Sequence, residues 1–308
     1  MTRNKETSSL ADEELFANVL YYGQPKSGKT TAAASVAKLG DTVYIDAEAG
    51  LKSGPLMEFG VPVASIEPFR EIDFDSLLKL FWDLNDDPPV ALVWDSLSES
   101  MKKLLFATAQ RRYERKPTNE RYAIELGDYG INTNEMRELT RKFRDLRCHT
   151  AFVALEKREQ DENTSAVSYG PDMTSKFASD VLGYVDVICH TYTVDVKGSD
   201  EPEYWGAFRT FDLHVGGDRF HLLPSKLITP SMDRIIGYLN GTLTIEDDEL
   251  MNAWRERGGL DVSKAATPNG EALLVTELGA TEVDSSEPAN AAKPAGRRRP
   301  PPKPAVAS

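Results

Sequence analysis

Residues Gly23-Gln24-Pro25-Lys26-Ser27-Gly28-Lys29-Thr30 read G-x-x-x-x-G-K-T, and they constrain the fold more than any other stretch of the chain. The pattern is that of a phosphate-binding P-loop, which needs a strand before it and a helix after it. Residues 19–22 are an apolar run suited to the strand, and the small residues 31–37 suit the helix. The glycines let backbone N–H groups turn inward around a triphosphate with no Cβ in the way. The helix start adds partial positive charge, so Thr31 joins the expected nucleotide contacts. Lys29 is expected on the β- and γ-phosphates, and the Thr30 hydroxyl on Mg²⁺.

A doubly covered parallel sheet then has to be built around that loop. The 308 residues suffice for a large buried core, and 40% apolar content indicates a globular chain. No apolar run approaches the ~18–20 residues of a membrane span. The first twelve residues lack the apolar stretch of a signal peptide, so the expectation is a cytoplasmic protein with no membrane partner. The formal charge is −13; residues 262–308 hold six Lys/Arg and five Asp/Glu, so residues 1–261 carry −14. Bulk charge therefore opposes non-specific adhesion to nucleic acid, and any such contact must use local basic patches.

Two cysteines make no disulfide framework. Cys148-His149 and Cys189-His190 would supply four donors for a tetrahedral zinc ion. Neighbours in a dipeptide seldom both reach one metal, so the reading preferred is buried strand ends.

The pattern predicts a disordered start over residues 1–9 and a short helix over 10–17. Strands are predicted at 42–46, 61–66, 90–94, 150–155 and 185–190. Helices are predicted at 73–84, 97–115, 134–146, 175–182, 233–239 and 247–257. Residues 159–173 read as a loop, and 208–215 with 219–223 as a hairpin turned by Gly216-Gly217. The domain is expected over residues 10–260, followed by a disordered Pro/Ala-rich tail, 261–308, with a basic end. Strands alternating with helices predict an α/β fold, a mostly parallel sheet with helices on both faces. Ligands bind such sheets at the carboxyl ends of the strands. The P-loop, Glu48, Asp95 and Glu156 all fall there.

Asp95 closes an apolar strand, as a Walker B aspartate does, and is expected to hold Mg²⁺ opposite Thr30. Ser96 can cap the following helix while Asp95 faces the metal. Hydrolysis also needs a group that deprotonates water. The residue after Asp95 is Ser96, not a glutamate, so the base must come from elsewhere. Glu48, just past the second strand, is the candidate.

These residues resemble the RecA family. Val43-Tyr44-Ile45-Asp46-Ala47-Glu48 is similar to the RecA segment carrying its catalytic glutamate, and Val93-Trp94-Asp95-Ser96 to its Walker B end. Ser175-Lys176-Phe177-Ala178-Ser179 resembles the stretch after the second RecA DNA-binding loop. The whole looks most like the short, core-only RecA-like ATPases of bacteriophages, linked to single-strand annealing and recombination. The resemblance spans about residues 15–240. It implies ATP and Mg²⁺, a head-to-tail homo-oligomer (ring or filament), single-stranded DNA, and a single-strand binding protein as a further partner. The RecA Asn-Gln switch at the fifth strand reads Glu156-Lys157 here, which assigns Glu156 to sensing the γ-phosphate. Where phage relatives carry a lysine two residues before an arginine, Gly217 stands here and Arg219 remains, as the candidate intersubunit finger.

DNA contacts are expected from two stretches. Arg111, Arg112, Tyr113, Arg115, Lys116 and Arg121 combine positive charge with an aromatic ring in an acidic chain. Lys157, Arg158 and Lys176 flank the counterpart of the second RecA loop. The basic tail, residues 297–303, adds charge. No N-K-x-D guanine signature is present, which favours ATP. Two other readings are a small-molecule or nucleotide kinase and a nucleotide-gated adaptor without turnover.

Overall fold

The computed structural model describes residues 15–117, 123–160, 165, 167–196 and 199–257, and the backbone of 262–265. Strand β1 (Asn18–Gly23) enters the P-loop, and α1 (Lys29–Ala34) leaves it, running into a 3-10 turn, Ser35–Lys38. Strand β2 (Thr42–Asp46) follows, then α2 (Ser53–Glu58), β3 (Ile66–Phe69) and α3 (Phe74–Asp86). Strand β4 (Ala91–Asp95) leads to α4 (Leu97–Arg115) and α5 (Leu126–Arg144). Next come β5 (His149–Gln160), β6 (Val167–Pro171), α6 (Ser175–Tyr184), β7 (Val187–Val196) and β8 (Glu203–Ala207). The last elements are β9 (Gly217–Asp218), β10 (Lys226–Ile228), α7 (Met232–Leu239), α8 (Glu249–Glu256) and β11 (Val262–Ala265).

The main sheet runs β10-β8-β7-β1-β5-β4-β2-β3. From β3 through β7 its pairings are parallel, while β8 and β10 add antiparallel edges. Strand β5 lies between the P-loop strand and the strand ending in Asp95. This is the α/β fold with a mostly parallel sheet that the sequence implies.

Both faces of the sheet are covered, which is why its strands are apolar without alternation. Val19 and Tyr21 of β1 pack on one side with Tyr44, Val93, Val153 and the residues of α7. Leu20 and Tyr22 pack on the other with Ile45, Trp94, Phe152 and the helices α3 to α6. Trp94 anchors that second layer: its ring meets Phe143 edge-on at 5.3 Å, and its Nε1–H donates to Ser100 Oγ at 2.7 Å. Burial of each such side chain contributes roughly 1.5–3 kcal/mol.

Several expectations need correction. Residues 61–66 are not a strand; Pro62 leads into a 3-10 turn, Val63–Ser65, and the pairing with β2 starts only at Ile66. Helix α5 begins eight residues earlier than periodicity indicates, because Glu125 and Asp128 form a reciprocal capping box. Residues 159–173 are no simple loop: β5 runs on to Gln160 and pairs with β6 as an antiparallel arm. The C-terminal hairpin lies earlier than expected, between β7 and β8, not around Gly216-Gly217. There, the Asp218 carboxylate accepts from the N–H groups of Phe220 and Leu223 and turns the chain away. Residues 15–17 are non-helical. Val262 and Ala265, at the head of the expected tail, pair with Val196 and Val194 of β7. The expected start (residues 1–9), Arg121 and the basic end lie outside the described residues. Among the described residues, no helix is long and apolar enough to cross a membrane.

Candidate nucleotide site

The loop itself is made by two close approaches. A Cβ on Gly23 would lie 2.2 Å from the Thr191 carbonyl oxygen. Gly28 has φ 84°, in the left-handed region, and a Cβ there would lie 2.8 Å from the Tyr204 ring. Buried Ser27 bonds Thr191 Oγ1 at 2.7 Å, pinning the loop to β7. Gln24, Pro25 and Lys26 form its exposed crest, with Lys26 at φ 67°. Thr31 follows in α1, partly buried.

Lys29 is buried beneath the crest. Its ammonium donates to the carbonyls of Gly23 at 3.0 Å and Gln24 at 2.6 Å. Burial pulls its pKa below the ordinary lysine value, opposed by Asp95, Glu48 and Glu156.

Thr30 Oγ1 donates to Asp95 Oδ2 at 2.7 Å, and Tyr44 Oη donates to the same oxygen at 2.6 Å. Burial raises the Asp95 pKa, and the bonds from Tyr44 and Thr30 oppose that rise. Thr30 and Asp95 are a hydroxyl and a carboxylate at one point, the oxygen donors Mg²⁺ takes from a protein. They fit that ion.

Glu48 stands on the exposed turn after β2. Ser96 Oγ donates to Glu48 Oε1 at 2.6 Å and also accepts the Glu99 N–H at 3.2 Å. One serine therefore caps α4 and orients the candidate base. The turn is fixed from below: Ala47 N–H donates to Asp95 O at 2.7 Å, and Lys103 Nζ to Ala47 O at 2.6 Å. Asp46, two residues earlier, is buried and takes Gly50 N–H and Arg70 Nε.

Glu156 lies inside β5, where the antiparallel pairing with β6 begins, and not at the strand end that the sequence indicates. Its Oε1 accepts from Gln24 Nε2 at 3.3 Å, and its Oε2 lies 2.8 Å from His190 Nε2 and 3.6 Å from His214 Nε2. Gln24 thus brings Glu156 into contact with the P-loop crest. Arg219 is bound within its own chain, to the Asp186 carboxylate at 2.8 Å and the Gly183 carbonyl.

The expected DNA set divides in two. Arg111 is held by Glu135 at 2.6 Å, and Arg112 by Asp128, Glu125 and the Ala123 carbonyl. These side chains brace α4 against α5, and half-buried Tyr113 lies on the same last turns of α4. Arg115 and Lys116 are exposed at the helix end, while Arg158 and Lys176 are exposed near the β5–β6 arm. Lys157 is tied to Glu159 and the Met173 carbonyl.

Sequence reasoning missed Tyr44, Tyr204 and His214, and considered His190 only as a zinc donor together with Cys148, His149 and Cys189. Tyr44 was detectable in principle, because it shares a face with the buried end of β4. The others depend on strand pairings that no local pattern displays. The Cys-His pairs do not gather: Cys148 and Cys189 are buried on opposite faces of the sheet.

The AAA domain family matches residues 16–220. No curated protein matches the chain. Similar solved structures include the KaiC-like protein PH0186 from Pyrococcus horikoshii OT3, at 12% identity over 69% of this chain and 88% of that one, with a TM-score of 0.39. Another is the flagellar accessory protein FlaH from Methanocaldococcus jannaschii, at 8% identity over the same shares, with a TM-score of 0.38.

Proposed function

Since the chain belongs to the AAA domain family, we propose that it binds ATP in the loop of residues 23–30 and hydrolyses it, with Glu48 as the base. One observation carries this reading. The P-loop, the end of β2 and the end of β4 bring Lys29, Thr30, Glu48 and Asp95 to a single mouth, joined by bonds of 2.6–2.7 Å across the pairs Thr30–Asp95 and Ser96–Glu48.

With ATP bound, Lys29 exchanges its carbonyl partners for phosphate oxygens and offsets charge that grows in the transition state. Thr30 and Asp95 would hold a Mg²⁺ ion, which would supply further charge neutralisation at the phosphates. Glu48 orients a water and takes its proton, while Ser96 keeps the carboxylate aimed. Tyr44 holds Asp95 through the same carboxylate oxygen that Thr30 bonds.

Single-stranded DNA is the proposed effector, and a head-to-tail homo-oligomer the proposed working form, in phage recombination, annealing or replication. Exposed Arg115, Lys116, Arg158 and Lys176 support the DNA contact, since they are basic groups available in an acidic chain. Arg111 and Arg112 do not support it, because carboxylates already occupy them.

The test is phosphate release from ATP measured with and without single-stranded DNA. DNA-stimulated release supports the full reading. Release that DNA leaves unchanged keeps the ATPase and removes the effector. Turnover only with a small acceptor would make the protein a kinase, and nucleotide binding without turnover would make it an adaptor.

A further inference from the structure

We propose that Glu156, His190 and His214 form a binding site for a Zn²⁺-type transition-metal ion, separate from the Thr30–Asp95 pair. The three come from β5, β7 and the loop before β9, and their ligand atoms all lie within 4.8 Å of one another. His190 Nε2 and His214 Nε2 stand 2.8 Å and 3.6 Å from the same carboxylate oxygen, Glu156 Oε2. A tetrahedral zinc ion with bonds of roughly 2.0–2.1 Å has ligand–ligand edges of about 3.3 Å. The two separations from Glu156 Oε2 lie on either side of that value, and the whole set stays within 4.8 Å.

The orientation of His214 gives a second pointer. Its Nδ1 lies 2.8 Å from the Asp212 carbonyl oxygen. A carbonyl only accepts, so Nδ1 is the donor, and Nε2 is the nitrogen on the Glu156 side. A carbonyl behind the second nitrogen is also how metal-bound imidazoles are usually oriented.

The surroundings hold the ligands in place before any ion arrives. Tyr169, His214, His190 and Tyr192 form a column of stacked rings, with centroid spacings of 4.6, 4.0 and 5.7 Å. Gln24 Nε2 occupies Glu156 Oε1, leaving Oε2 for the ion. Two imidazole nitrogens and one carboxylate oxygen suit Zn²⁺; Mg²⁺ and Ca²⁺ prefer oxygen alone. The three side chains are 4%, 10% and 13% exposed, so the site is largely shielded from bulk water. Such an ion clamps β5, β7 and the 211–215 loop together and, through Gln24, braces the crest of the P-loop.

The experiment uses the full chain stripped of metal by a chelator. Zn²⁺ is titrated by calorimetry in excess Mg²⁺, Co²⁺ is titrated while visible ligand-field bands are followed, and thermal melting is recorded with and without Zn²⁺. One Zn²⁺ per chain, indifferent to Mg²⁺, a raised melting temperature and growth of the Co²⁺ bands are expected. His214→Ala and His190→Gln should each weaken binding roughly tenfold or more. Glu156→Gln keeps the side-chain shape and serves if a histidine variant fails to fold. No saturable binding by the unaltered chain, or equal affinity in the variants, overturns the proposal.

Discussion

Thr30 Oγ1 and Asp95 Oδ2 are 2.7 Å apart, so the last residue of the P-loop already touches the last residue of β4. The contact forms between elements 65 residues apart in the chain. Thr30→Ala should leave the fold intact, because Tyr44 still bonds the same carboxylate oxygen. Turnover should fall about 100-fold and need more Mg²⁺ to saturate. Phosphate release measured across a Mg²⁺ series checks this.

Lys29 has a different role, as the single buried ammonium beneath the crest among the described residues of the loop. Lys29→Ala should abolish detectable turnover and weaken ATP binding, since no other cation replaces its charge there. Fluorescent-nucleotide titration is the readout; unchanged affinity would refute the P-loop assignment.

Glu48→Gln keeps a side chain that can accept from Ser96 but cannot take a proton. ATP binding should persist while turnover drops by roughly 10²–10⁴. Ser96→Ala should give a smaller loss, because the carboxylate remains but is no longer aimed. Single-turnover assays on the two variants separate base from orienter, and near-normal hydrolysis by Glu48→Gln would show that another group activates the water.

Gly28→Ala tests the loop geometry. Its φ of 84° strains any L-residue, and the new methyl group would meet the Tyr204 ring at 2.8 Å. Nucleotide affinity should fall, and Gly28→Ala combined with Tyr204→Ala should restore less than half of the loss, because the backbone strain persists. Full recovery would show that the ring contact alone matters.

The Arg112–Asp128 pair predicts a pH dependence. The bond from Arg112 holds the buried Asp128 carboxyl below its ordinary value. A group depressed on folding lends stability above its unfolded pKa, about 3.9, and loses it as pH falls through the folded value. Melting temperature should therefore drop on acidification below about pH 4, and Asp128→Asn should flatten that limb. Arg112→Ala should lower the melting temperature even at neutral pH, whereas Arg115→Ala and Lys116→Ala should not. A stable Arg112→Ala protein would release that arginine for other roles.

How legible the chain was depends on how local each signal is. Helix α4 runs Leu97–Arg115, as the sequence indicates, because Ser96 caps it and Pro117 follows its end. Strand β2 is likewise read correctly, since both its faces are buried and its run is short. The P-loop was plain, because its chemistry is written in eight adjacent residues. The start of α5 was hidden by Gly127 and Gly130, which weaken helical periodicity, while its capping box depends on side-chain geometry. The β5–β6 arm was hidden because its polar residues resemble a loop until they find each other. His190 and His214 were invisible as a pair for the same reason: the 23 residues between them say nothing about two rings that stack at 4.0 Å.

Asp46 stands opposite Asp95 in the β2–β4 register, and Glu48 follows two residues later. Side chains alternate along a strand, so sliding β2 by one position would exchange its two sides. Ile45 would then arrive where the Tyr44 hydroxyl meets Asp95, and Glu48 would leave Ser96. A one-residue insertion or deletion within β2 should therefore abolish the proposed turnover even if the protein still folds, whereas length changes in the turns after α2 or α7 should leave that phase untouched.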